Sequence, residues 1–328
     1  MVKAWQDLSV LIVGCGSIGK RHARVLNGLG VGDLRVCDPL PEQRLSLQAQ
    51  VPSVQLYDSY SAGLADHPDV VLICTPPELH VPMAMEAMRA GSHVLCEKPL
   101  SDSTDCVDDM VALNEATGKK VMVALCFRFH EGLVKARHYL DAGRIGRLVS
   151  VRALVGEHLP DVRPDYRKLF SAQHGGAFDL MHEIDLALWY AGLPVRQVHA
   201  LSGSFSDIDI VAPDIAEILI GFAGPCVASV HLDFFQRPRR RQLELMGTQG
   251  VITVEFARWD HCTVSTYEAA RGTWEREEMT TDRDDMFRAE DKEFLQAVAE
   301  DLPIRCTVAE ARKSVEVVLA CQTPATPV

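Results

Sequence analysis

The first 127 positions alternate two patterns. Short apolar runs lie at 9–14, 34–38, 54–57, 70–75, 93–97 and 121–127, several of them apolar throughout, as strands covered on both faces should be. Between them, 17–29, 41–49, 80–90 and 104–117 carry helical patterns, and Gly30, Gly91 and Gly118 stand where helices stop. This alternation predicts a doubly wound parallel sheet. After 127 the period changes. Helices are expected at 135–142 and 178–191, and β-type runs at 148–156, 195–205, 215–222, 226–235, 242–246, 251–256 and 262–267. Short turn signals such as Gly247-Thr248-Gln249-Gly250 separate several of these runs, which predicts an antiparallel sheet. Helices at 285–300 and 308–319 close the pattern, and the tail 323–328 is expected to fray. The division is α/β: 1–127 with the parallel sheet, 128–328 with the mostly antiparallel one.

A chain of 328 residues fits two such domains. Its 33 basic against 45 acidic residues leave a formal charge of −12, which argues against a nucleic-acid partner. No apolar run reaches the ~18 residues of a membrane span; the longest candidate, 215–232, is broken by Glu217, Gly221, Gly224 and Pro225. The N-terminal residues lack the pattern of a signal peptide. Ten scattered cysteines form no C-x-x-C pair, so reduced thiols in a cytoplasmic protein are expected, and no metal site.

The sharpest local signal is Gly14-Cys15-Gly16-Ser17-Ile18-Gly19, which follows an apolar run and opens a helix. Glycines there permit a tight turn and close approach of a pyrophosphate to the N–H groups of the helix start. Asp38 ends the second run about 20 positions later, where its carboxylate can take the ribose hydroxyls and repel a 2′-phosphate. NAD is therefore expected over NADP. The fourth run ends in Cys74-Thr75-Pro76-Pro77, with His80 close behind, and the fifth in Cys96-Glu97-Lys98-Pro99. Ligands of open α/β sheets bind at the carboxyl ends of the strands, which puts these segments beside the cofactor. Taken alone, a lysine such as Lys98 is more often a solvated or ion-paired side chain; its place at the sheet edge makes it a candidate donor to substrate. His182 lies on a predicted helix among Asp179, Glu183 and Asp185, and a carboxylate-flanked imidazole suits proton transfer near neutrality. Tyr166 precedes that helix in a stretch that reads equally as a cleft lining or a solvated loop. The basic run Arg237-Pro238-Arg239-Arg240-Arg241 reads most simply as a solvated loop or an interface contact.

Taken together, these motifs resemble the Gfo/Idh/MocA family of oxidoreductases. The likeness rests on the glycine fingerprint with Lys20-Arg21-His22, on Thr75-Pro76-Pro77 with His80, and on Glu97-Lys98-Pro99-Leu100. It continues through Phe127-Arg128-Phe129-His130, Gly143-Arg144-Ile145-Gly146, and Gly175-Gly176 followed by Asp179 and His182-Glu183-Ile184-Asp185. The resemblance implies an N-terminal Rossmann domain and a C-terminal α/β domain with a large open sheet that often mediates oligomerisation. It further implies hydride transfer between a nicotinamide and a carbohydrate-type hydroxyl or ketone. By position, Lys98 matches the family's active-site lysine and His182 its catalytic histidine, with Asp185 placed to orient the ring and Arg128 in a substrate-contacting element. The family's Asp four residues before the histidine is Phe178 here; Asp179, three before, is the candidate in its place. The expectation is an NAD-dependent dehydrogenase, cytoplasmic, a homodimer or homotetramer, acting on a sugar, polyol or nucleotide-sugar. A dinucleotide-binding regulatory protein and an imine or double-bond reductase are the rivals.

Overall fold

A computed structural model describes residues 3–169 and 175–322; the tail 323–328 lies outside the described residues. The chain divides into two compact units. One holds the positions up to Phe129 together with Asp284–Val315, the other His130–Arg283 with the residues from Glu316 on.

The first unit contains β1 (Ser9–Val13), α1 (Ser17–Gly28), β2 (Asp33–Cys37), α2 (Pro41–Gln48), β3 (Gln55–Tyr57) and α3 (Tyr60–Ala65). It continues with β4 (Val70–Ile73), α4 (His80–Arg89), β5 (His93–Glu97), α5 (Val107–Thr117) and β6 (Val121–Ala124). The six strands form one parallel sheet in the order β3-β2-β1-β4-β5-β6. β1 and β4 are buried at every position, the consequence of helices on both faces. The helix α3 has no apolar period long enough to announce it; Ser59 caps it by accepting from the Ala62 N–H at 3.3 Å. The run at 121–127 is strand only to Ala124, because the chain then turns through a 3-10 segment at Cys126–Phe129.

The second unit contains α6 (Glu131–Asp141), β7 (Leu148–Gly156), α7 (Leu159–Val162), α8 (Tyr166–Leu169) and α9 (His182–Ala191). The strands β8 (Val195–Gly203), β9 (Ile215–Phe222), β10 (Val227–Asp233), β11 (Arg240–Gly247), β12 (Gly250–Glu255), β13 (His261–Glu268) and β14 (Thr273–Thr280) follow. They build an eight-stranded sheet in the order β14-β13-β12-β11-β7-β10-β9-β8, antiparallel except where β10 runs parallel to β7. One face is covered by α6 and α9. On the other, Leu201, Leu219 and Val227 stand exposed on β8, β9 and β10, with Leu219 two positions from the register partners of Leu201 and Val227 (Glu217 and Gly221) and so on the same face. β14 escapes the sequence pattern because it carries four consecutive charged residues, Glu275 to Glu278, and buries none of its side chains.

The chain then returns to the first unit with α10 (Asp285–Glu300) and the first half of α11 (Val308–Gln322). The sequence division put 284–315 with the second domain. These residues instead cluster with the first unit, since α10 lays Met286, Phe287, Phe294 and Leu295 against it and Met122 bridges to Thr307. Among the described residues no helix is long and apolar enough to cross a membrane.

Candidate active site

The parallel register sets the carboxyl edge of the first sheet. Val13 lies opposite Ile73, and Ile73 opposite Cys96, so the segments leaving β1, β4 and β5 stand side by side. Gly14 leaves β1 with φ +96°, and a Cβ there would sit 2.6 Å from the Cys74 carbonyl oxygen. A Cβ on Gly19 would fall 1.9 Å from the Gly14 carbonyl oxygen. Those two glycines are required by the protein's own packing. Gly16 is different: its φ of −69° suits any residue, and a Cβ there would meet no protein atom within 4 Å. Among the described residues none fills the space of the missing side chain, which leaves room for a phosphate to approach the backbone. Ser17 and Ile18 open α1, whose N-terminus has no side-chain cap, so its N–H groups are available to an anion.

Asp38 is half-buried at the end of β2. Its Oδ2 accepts from the Cys15 N–H at 2.8 Å and its Oδ1 from the Leu40 N–H at 2.9 Å. A carboxylate held by two backbone donors keeps lone pairs for the ribose hydroxyls, so this edge fits NAD. All ten thiols are free, and only Cys106 is exposed. Burial, above all, pushes those of Cys15 and Cys37 up to about 12, so the cysteine within the fingerprint stays a neutral packing residue.

Lys98 follows β5 on a cis Lys98–Pro99 bond, and its backbone N–H donates to Glu97 Oε2 at 3.0 Å. His80 closes the other side of this turn: its ring nitrogens lie 2.7 Å from the Pro99 carbonyl oxygen and 2.8 Å from that of Thr75. The imidazole is thus buried against the backbone and ties the loop around Pro76 to the lysine turn. Behind Glu97 stands a residue the sequence reading used only as part of a motif. His22, on α1, is 0% exposed, with Nδ1 2.9 Å from Asp291 Oδ1 and Nε2 3.1 Å from Glu97 Oε1. Burial works against its charge, but Asp291, and then Glu97, outweigh it and hold the imidazole well above its ordinary range. Glu290 lies beside them, fully buried, and among the described residues neither of its oxygens has a hydrogen-bond partner. Burial first, then the charges of Asp291 and Glu97, push its carboxyl well above the usual range. The signal for this cluster was present: His22 shares the buried stripe of α1 with Gly19, Ala23 and Leu26, and Glu290 and Asp291 share that of α10 with Phe287 and Phe294.

In the second unit, α9 begins at His182, which is half-buried, and Asp185 is buried one turn on. Asp179 is not on this helix: it stands exposed in the preceding 3-10 turn Gly176–Leu180, where Phe178 takes the inward position. Glu183 turns away from the imidazole cluster expected of it. It is 0% exposed and receives Arg241 in a two-pronged ion pair, Nε to Oε1 at 2.5 Å and Nη2 to Oε2 at 2.9 Å. The basic run is therefore solvated only in part: Arg237, Pro238 and Arg240 are exposed, whereas Arg241 is buried. Arg237 pairs with Asp161, Arg239 with Glu157 while stacking on Trp259, and Arg241 enters the core. Three of the four arginines meet an acid, Asp161 on α7, Glu157 just past β7 and Glu183 on α9, while Arg240 donates to the Gln242 side chain at 3.0 Å. Tyr166 is buried in a small apolar cluster with Leu159 and Phe234, packed by Leu180, Ile208 and Ile210. Arg128, in the first unit, is 3% exposed and donates to Glu310 at 2.9 Å. One nitrogen of its guanidinium, Nη1, is thus engaged at the start of α11.

Sequence comparison agrees with this arrangement. Residues 8–125 match the oxidoreductase family NAD-binding Rossmann fold named GFO_IDH_MocA, and residues 133–253 match the GFO/IDH/MocA C-terminal domain. The chain belongs to the Gfo/Idh/MocA family, and its first unit is an NAD-binding Rossmann domain. It is 29% identical over 228 residues to the myo-inositol dehydrogenase Hyg17 of Streptomyces leeuwenhoekii, a match covering 69% of this chain and 66% of that one. The match thus spans just under two thirds of that relative. Among solved structures, the fold is similar to myo-inositol 2-dehydrogenase from Lactobacillus plantarum (TM-score 0.82, 22% identity, 96% of each chain). It is also similar to levoglucosan dehydrogenase in complex with NADH and levoglucosan (TM-score 0.84, 22% identity, 96% of each chain).

Proposed function

We propose that this protein is an NAD-dependent dehydrogenase that interconverts a hydroxyl and a ketone on a sugar, polyol or nucleotide-sugar. The observation that carries the reading is the open side of Gly16 on the same sheet edge as the Lys98 turn, which puts a cofactor cradle next to a fixed lysine. Bound NAD supplies the hydride acceptor or donor; the chain supplies orientation and proton chemistry. Gly14, Gly16, Ser17, Ile18 and Gly19 hold the pyrophosphate, Asp38 the ribose, and Cys74, Thr75 and Pro76 line the path toward the nicotinamide. Lys98 donates to the reacting oxygen. His182, at the start of α9, takes or returns the hydroxyl proton, Asp185 orients its ring, and Asp179 and Tyr166 border the substrate. The names of the relatives support a carbohydrate-type substrate. We place the protein in the cytoplasm, as a homodimer or homotetramer joined through the exposed apolar positions Leu201, Leu219 and Val227, with no nucleic-acid partner.

The test is NADH formation from NAD with myo-inositol, levoglucosan and UDP-N-acetylglucosamine, in wild type, Lys98→Ala and His182→Ala. Removing the proton-transfer group should lower kcat by about 100-fold or more. Wild-type turnover in either variant would refute its role, and NADH binding without turnover on any such substrate would favour a regulatory protein.

A further inference from the structure

The buried imidazole of His22 is made for holding, with no side open to a ligand. Its Nδ1 lies 2.9 and 3.0 Å from the two oxygens of Asp291, and its Nε2 lies 3.1 Å from Glu97 Oε1. A ring nitrogen facing a carboxylate carries a proton, so both nitrogens donate and no lone pair remains for a cation. The acids around it are counter-ions, which is why the grouping of His22, Glu290 and Asp291 is not read as a metal cradle. Glu97 spends its other oxygen on the Lys98 N–H. The result is one continuous chain of charge-assisted hydrogen bonds from Asp291 on α10, through His22 on α1 and Glu97 on β5, to the backbone of the lysine turn. Phe287 of α10 meets the His22 ring edge-on at 5.5 Å and closes the remaining side. On its far side the same turn is pinned at the Pro99 carbonyl by His80.

We propose that His22 is a positioning residue for Lys98: with Asp291 as its anchor it fixes the Glu97 carboxylate, and Glu97 fixes the turn from which the lysine reaches substrate. This rests on the reading of Lys98 as the donor to the reacting oxygen. A carboxylate bonded through one oxygen can rotate about its last torsion, whereas one bonded through both cannot. The lysine side chain has four further torsions, so any freedom at its root is amplified at Nζ. A displacement near 1 Å at a reacting group costs about 100-fold in rate. The anchor lies 269 positions from His22, so the C-terminal return of the chain into the first unit completes the support of the lysine.

The experiment is a double-mutant cycle on the full chain: wild type, H22Q, K98A and H22Q/K98A, with E97Q as a second route to the same break. Glutamine keeps one amide donor but no charge. The readouts are kcat and KM on myo-inositol with NAD, NADH affinity by nicotinamide fluorescence, and acetic-anhydride labelling of Lys98 relative to Lys3 in the protein without substrate. The expected result is a tenfold or larger fall in kcat for H22Q, with KM and NADH affinity within threefold. In the K98A background H22Q should cost less than twofold, because the group it positions is gone. Labelling of Lys98 should rise at least threefold against Lys3. Losses that multiply in the double variant, or an unchanged labelling ratio, overturn the inference alone. Wild-type turnover in K98A refutes the role of Lys98 and this inference with it. Should H22Q fail to fold, E97Q enters the same cycle; should myo-inositol not be turned over, the labelling ratio decides.

Discussion

Replacing Arg241 by alanine leaves the carboxylate of Glu183 inside the second unit with nothing opposite it. The two groups are 5% and 0% exposed and share two hydrogen bonds of 2.5 and 2.9 Å, so the carboxylate left behind is out of reach of bulk water. Removing one member of such a pair costs about 3–5 kcal/mol, most of it the desolvation of the charge that remains. The loss of the stack on Phe256, 5.4 Å from the guanidinium carbon, adds to this. Burial already raises the Glu183 carboxyl against the pull of Arg241, and without Arg241 it rises further. The folded variant then keeps a proton that the unfolded chain, with a pKa of about 4.3, releases. Stability conferred by the protonated carboxyl is complete below that value and is lost as pH climbs through the folded pKa, by ~1.4 kcal/mol per unit. The deficit of Arg241→Ala should therefore be larger near pH ~8 than near pH ~5. Replacing both members, Glu183→Leu with Arg241→Met, should recover most of it, since no charge is left buried. Urea unfolding followed by tryptophan fluorescence is the assay: Trp189, Trp259 and Trp274 belong to the second unit and only Trp5 to the first. A deficit below ~1 kcal/mol, or one that does not change with pH, would refute the reasoning.

Gly16→Val should fold, with at most about 1 kcal/mol lost at the α1 N-cap because its Cβ meets no protein atom, yet bind NADH about 100-fold more weakly, measured by fluorescence titration. Gly19→Ala should lose stability and NADH binding together, its Cβ falling on the Gly14 carbonyl; equal behaviour of the two variants would contradict the assignment of Gly16 to the cofactor. Glu290→Leu should stabilise the protein by ~1–3 kcal/mol near pH ~8, by removing a buried carboxyl without partners among the described residues. Its carboxyl is raised by burial, so the native state loses stability as pH rises and the gain should shrink toward pH ~5; calorimetry that found a gain growing toward acid would reverse the sign.

The amino-acid sequence by itself determined the parallel sheet, the glycine turn, and the places of Asp38 and Lys98. These are local: an apolar run, a turn that only glycine permits, and a strand end lie within a few positions of one another, and parallel pairing then brings successive strand ends to one edge. It also determined the membership of the second sheet, apart from β14, whose side chains bury no face and so leave no period to read. Tertiary structure decided the rest. Glu183 reads as one more acid beside His182 until β11 delivers Arg241 to it from 58 positions away. Asp179 lies within helical reach of His182 on paper, but a 3-10 turn ends before α9 begins and leaves it outward, with Phe178 inward. His22, Glu97 and Asp291 come from helix, strand and helix spread over most of the chain, and no local spacing connects them. A period reveals that a polar side chain lies on a buried stripe; which opposite charge it meets there is settled only when the elements pack.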